Sequence, residues 1–85
     1  MNNIIEYFKA VADESNYIEI KENVVGGRPI IKNRRISVLV ILSCFKHNMT
    51  VDEIAEDYDL TREQVIGAID YVMTLLNKPF KKNEV

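Results

Sequence analysis

Thr50 is followed three residues later by Glu53, and eleven residues downstream Thr61 is followed at the same spacing by Gln64. Each pair is a capping box: the hydroxyl accepts from a first-turn backbone N–H, and the Glu or Gln side chain reaches back to the N–H of the capping residue. Two helix starts so close together, with only Asp59-Leu60 between the first helix and the second cap, constrain this chain more than any other feature. The first helix carries Val51, Ile54, Ala55 and Tyr58 on one face. The second carries Val65, Ala68, Ile69, Val72, Met73 and Leu76. A short helix, a tight turn and a longer capped helix is the pattern of a helix-turn-helix, whose second helix offers its first turn to the DNA major groove. Ile54, Leu60, Val65 and Ile69 form its apolar seam, and Ala55 permits a close crossing. Many such turns use glycine; Asp59 stands here, a residue that reaches the left-handed region at a modest cost. The same pattern also suits two packed helices of a plain bundle.

Upstream, Ser37 is placed to cap a helix through Val38-Leu39-Val40-Ile41-Leu42-Ser43-Cys44-Phe45-Lys46-His47. Its β-branched start suits a buried strand equally on propensity, but its length exceeds a usual strand, and His47-Asn48 reads as a helix end. Apolar on nearly every face, this 37–47 helix is expected to be central or to lie in a homodimer interface. Tyr17-Ile18-Glu19-Ile20-Lys21 alternates as a half-buried strand, Gly26-Gly27 supplies a reversal, and Pro29-Ile30-Ile31 gives a short partner strand. Ile4, Ile5, Phe8, Val11 and Ala12 mark an amphipathic helix over 3–14, and Pro79 ends the last helix before a polar tail. The expected fold is mainly α: a single domain over 1–85, with an N-terminal helix (1–16), a two-stranded β element (17–36), a three-helix, homeodomain-like helix-turn-helix core (37–77) and a tail (78–85).

Function classes are narrowed by charge. The 85 residues hold 11 Lys and Arg against 13 Asp and Glu, which excludes a wholly basic nucleic-acid coat. Within 51–70, Asp52, Glu53, Glu56, Asp57, Asp59, Glu63 and Asp70 face Arg62 alone, a poor match to a phosphate backbone. Arg28, Lys32, Arg34 and Arg35 supply the missing cations on the segment before the 37–47 helix. They are read either as phosphate contacts or as intramolecular neutralisers of the acidic helices. Arg62 is the candidate for guanine and Thr61 for phosphate, while Gln64 either reads adenine or is held by its capping box. No catalytic residue, metal site or cofactor is expected: the lone His47 and Cys44 sit three residues apart without a spaced carboxylate, and the few glycines form no phosphate-binding loop.

With one cysteine no intrachain disulfide closes, which suits a reducing cytoplasm. The longest apolar run, 36–42, is too short to cross a bilayer, and no signal peptide is expected. A chain of this size builds a small core, and dimerisation enlarges it.

Gly26-Gly27-Arg28-Pro29-Ile30-Ile31-Lys32, Arg35-Ile36-Ser37-Val38 and Met49-Thr50-Val51-Asp52-Glu53-Ile54-Ala55-Glu56-Asp57-Tyr58 resemble the bacterial and archaeal family called domain of unknown function 433. The likeness runs on through Leu60-Thr61-Arg62-Glu63-Gln64-Val65 and Ala68 and covers roughly residues 18–72. It implies a small helix-turn-helix protein with a short β element. It further implies an antitoxin of a type II toxin–antitoxin pair: a dimer that binds its operator DNA, autoregulates its operon and silences a PIN-like nuclease. The family's usual Gly-Thr-Arg is here Asn33-Arg34-Arg35, and its usual glycine after the central helix is Asn48. Both asparagines are expected to keep the turn geometry at a small cost, and Arg34 to add a phosphate contact. The alternative function is a protein-interaction adaptor whose acidic helices cover a cationic cleft on a nuclease and which never touches DNA.

Overall fold

A computed structural model of the chain describes residues 3–77; the expected polar tail, 78–85, lies outside the described residues. The order is α1 (Asn3–Asp13), β1 (Ile18–Glu19), β2 (Ile30–Ile31), α2 (Val38–Lys46), α3 (Val51–Tyr58) and α4 (Arg62–Asn77). The fold is mainly helical with one two-stranded antiparallel sheet, as the sequence predicts. Ile18, Ile30, Ile31, Ile41, Ile54 and Val65 are the largest fully buried side chains. They come from both strands and from α2, α3 and α4, so the core lies where the sheet meets the three-helix unit. Each such side chain contributes about 1.5–3 kcal/mol by leaving water.

The sheet is smaller than expected. Ile18 pairs with Ile31 and Glu19 with Ile30, so only two residues of each expected strand join the ladder. The connection is not a tight hairpin: Val25, Gly26 and Gly27 all have positive φ, at 51°, 64° and 76°. Two glycines occupy this left-handed turn freely, whereas β-branched Val25 is strained in it. Pro29 needs no donor, since only its carbonyl is used, accepting from Val38 N–H at 2.9 Å. Ile30 is also bridged by Ser37, so β2 runs directly into the cap of α2.

α2 is a helix because Ser37 caps it: Val40 N–H donates to Ser37 Oγ at 3.1 Å. Val38, Ile41 and Cys44 point inward, while Leu39 and Val40 remain exposed. α1 lies antiparallel on α4 and is stapled to it from both sides. Tyr7 OH donates to the Leu75 carbonyl, and Tyr71 OH donates to the Phe8 carbonyl at 3.0 Å. Val11 and Ala12 are buried beneath it. Burial, and secondarily Tyr7, pushes the Tyr71 phenol up to about 12.

Two sequence expectations fail at this end. Ile4 and Ile5 do not join the buried face of α1, and Met73 and Leu76 do not join that of α4; they are 60, 52, 62 and 81% exposed. The docking of α1 selects the side of α4 that carries Gly67, Tyr71 and Leu75, which turns Met73 and Leu76 outward. Gly67 admits Tyr17, in the link between α1 and β1, against the helix. A β-carbon there would stand 2.7 Å from the Tyr17 Cβ, inside any tolerable contact.

Candidate nucleic-acid interface

The α3–α4 unit is assembled from two copies of one local device. At the end of α2, Asn48 is left-handed (φ 67°), Asn48 N–H donates to Phe45 O, and Met49 N–H donates to Cys44 O at 3.1 Å. At the end of α3, Asp59 is left-handed (φ 57°), Asp59 N–H donates to Glu56 O, and Leu60 N–H donates to Ala55 O at 2.8 Å. Both are Schellman stops, which satisfy carbonyls that a helix end leaves open. Each stop is followed by one apolar residue and a threonine cap. Thr50 and Glu53 close the first capping box, with bonds of 3.1 and 2.9 Å. Thr61 and Gln64 close the second, at 3.1 and 2.8 Å. The helix-turn-helix geometry is thus set by backbone satisfaction, and aspartate serves where glycine is usual.

The basic segment forms a reverse turn between β2 and α2. Ile31 N–H donates to Ile36 O and Arg34 N–H to Ile31 O, with Asn33 left-handed at φ 64° as the turn demands. Three anchors orient this turn. Lys32 N–H donates to Tyr17 O at 2.8 Å, and Asn33 N–H donates to Glu19 Oε2 at 2.8 Å. The Arg34 guanidinium supplies the third, donating to Asp59 O at 2.9 Å and to Tyr58 O at 3.0 Å. Those carbonyls end α3, where the helix dipole is negative and a cation is favoured. Arg34 is therefore a clamp between the basic turn and the helix-turn-helix, and its acceptors lie within three residues of the Thr61 cap.

The seven candidate residues divide accordingly. Arg28, Lys32, Arg35 and Thr61 are exposed. Lys32 and Arg35 flank Arg34 in the turn, and Arg35 joins Glu19, Lys21, Val24, Asn33 and Arg34 in lining a shallow groove. Arg34 is engaged by carbonyls, and Gln64 Oε1 is held by the Thr61 N–H. Arg62, at the exposed start of α4, is ion-paired with Asp52 of α3. Both partners are more than half exposed, so the pair adds at most about 1 kcal/mol and opens readily. The sequence reading missed Asp52 as the partner of Arg62 and the carbonyl-clamping role of Arg34. No local pattern signals either, because the partners lie 10 and 24–25 residues away.

Other chemistry is sparse. Cys44 is buried beneath Tyr58, its thiol 3.7 Å from the phenol oxygen, and this hydrogen bond raises the Tyr58 pKa. Among the described residues, no group of three or more His, Cys, Asp and Glu is placed to hold a metal ion. No helix among them is long and apolar enough to cross a membrane.

The architecture defines a small helix-turn-helix domain extended by a β element and an N-terminal helix. The sequence model of the family described as protein of unknown function (DUF433) matches residues 18–72, well over half of the chain, and the protein belongs to that family. The match spans the sheet, the basic turn, α2, α3 and most of α4, and it omits α1. No curated protein matches the chain, and no solved structure does.

Proposed function

We propose that the protein is a DNA-binding regulator of the antitoxin type, a dimer that represses its own operon and neutralises a PIN-like nuclease. The observation that supports this reading is the Arg34 clamp, which ties the turn bearing Lys32 and Arg35, the cationic ledge of this proposal, to the end of α3. Lys32, Arg35 and Arg28 face the phosphates, Thr61 adds a hydroxyl contact, and Arg62 exchanges Asp52 for a base edge on binding. Gln64 stays in its capping box and Arg34 on its carbonyls. The antitoxin role and the nuclease partner rest on what the sequence resemblance implies, since the description of the matched family assigns no function.

Band shifts on the region upstream of its own gene test the DNA contact. Binding is expected to fall steeply with salt, and the joint Lys32→Ala and Arg35→Ala substitution weakens all sequences alike. Arg62→Ala relaxes sequence preference, and Asp52→Asn, which frees Arg62, tightens binding. Absence of any shift at low salt sinks the proposal. One observation favours a second reading, a protein-interaction module without DNA contact: the exposed acids of α3 and the start of α4 outnumber the cations there and hold Arg62. That reading predicts co-purification with the product of a neighbouring gene and no effect of the ledge substitutions on it.

A further inference from the structure

The two faces of the sheet are covered by different chemistry. Alternation turns Ile18 and its partner Ile31 into the main core, and turns Glu19 and its partner Ile30 the other way. Ile30 is only 1% exposed, yet it does not join the apolar cluster that Ile18 and Ile31 enter. It forms part of the wall of the shallow groove that Glu19, Lys21, Arg34 and Arg35 also line. The register explains which residues meet there. Lys21 stands two residues past Glu19, and Arg35 stands two residues before Ser37, which is bridged to Ile30 from the opposite side. Lysine and arginine can lay their stems over such an apolar floor and keep their charged heads at the rim. Lys21 is remote in sequence from the basic turn, and only the pairing of the strands brings it to the same groove.

Three cations against one carboxylate line this groove. The carboxylate is engaged within the protein: Glu19 Oε2 accepts from Asn33 N–H at 2.8 Å and lies 3.7 Å from Lys21 Nζ. Arg34 is engaged by the carbonyls that end α3. The outward charge is therefore that of Lys21 and Arg35. The Lys21 side chain is 54% exposed and loosely paired, and Arg35 makes no ion pair among the described residues.

We propose that Lys21 is a phosphate-contacting residue, and that the groove over Ile30 seats a stretch of DNA backbone between Lys21 and Arg35. This contact rests on the DNA binding proposed above and extends it from the turn to the end of β1. Arg34 makes the two regions continuous, since it both lines the groove and bonds to the end of α3. As the duplex docks, Lys21 leaves Glu19 for a phosphate, while Glu19 keeps its bond to Asn33 and the turn holds its shape.

Band shifts with the full chain, on the region upstream of its gene and on an unrelated duplex across a salt series, test it. Lys21→Gln keeps most of the stem over Ile30 and removes the charge. It is expected to weaken both duplexes alike and to lower the slope of log affinity against log salt by about one, as Arg35→Gln does. Lys21→Arg retains the slope. Lys9→Ala makes the same change in net charge at an exposed position of α1 and leaves the slope unaltered. If Arg35→Gln lowers the slope and Lys21→Gln does not, the groove contact is overturned while the DNA reading stands. An equal fall in the Lys9→Ala variant also overturns it, because net charge alone then accounts for the effect. A wild type that shifts neither duplex at low salt overturns both.

Discussion

The two ends of α4 are held by different physics. At its start, the stop at Asp59, the Thr61–Gln64 box and the Arg34 clamp are all hydrogen bonds to backbone groups that the helix ends leave open. Side chains there are largely exposed, and Arg62 is paired only at the surface. From its second turn to its last, α4 is fixed by close packing: Tyr17 lies on Gly67, and two phenols bridge α1 and α4. A polar end tolerates the exchange of one partner for another, which suits a surface that binds. A packed end tolerates little.

The comparison breaks first at Gly67. Gly67→Val is expected to cost about 2–3 kcal/mol by overpacking, read as a lower denaturation midpoint, and adding Tyr17→Ala recovers part of the loss. Tyr71→Phe comes next, losing about 1–2 kcal/mol with the Phe8 hydrogen bond. It also changes the pH dependence. The folded phenol, at about 12, holds its proton to higher pH than the unfolded one near 10, so the stabilisation is complete below pH 10 and is lost as pH rises to 12. Denaturation across that window is expected to show a decline that the Phe variant largely lacks. Thr61→Ala removes one half of a capping box and costs about 1 kcal/mol, fraying the start of α4 in amide exchange while α1 stays protected. The smallest effect has the opposite sign: Asp59→Gly relieves the left-handed residue and stabilises by about 0.5 kcal/mol in denaturant melts.

The same contrast explains what is legible in the sequence. Caps and stops act over three to five residues, so Thr50, Thr61, Asn48 and Asp59 announce α3 and α4 with accurate ends. Ser37 settles α2 against the strand alternative for the same reason. Packing between distant segments leaves only fainter marks. A glycine inside an otherwise regular helix signals close approach, but nothing near Gly67 names Tyr17 as the neighbour. The apolar residues of α4 spread around more than one face, and only the seat of α1 decides which are covered. That is why Met73, Leu76, Ile4 and Ile5 read as inward-facing and lie outside. At the candidate interface, the residue types are readable and their engagements are not: Arg34 reads as one more cation until its carbonyl partners are seen.

The reciprocal phenols have a spectroscopic consequence. The chain contains four tyrosines and no tryptophan, so its near-ultraviolet absorption is dominated by these chromophores. Tyr71 becomes phenolate late because it lies beneath α1, and detachment of that helix releases it to ionise with ordinary phenols. A rise in phenolate absorbance in buffer held at about pH 11, between the free and the buried phenol, therefore reports when α1 lifts away, with no dye attached.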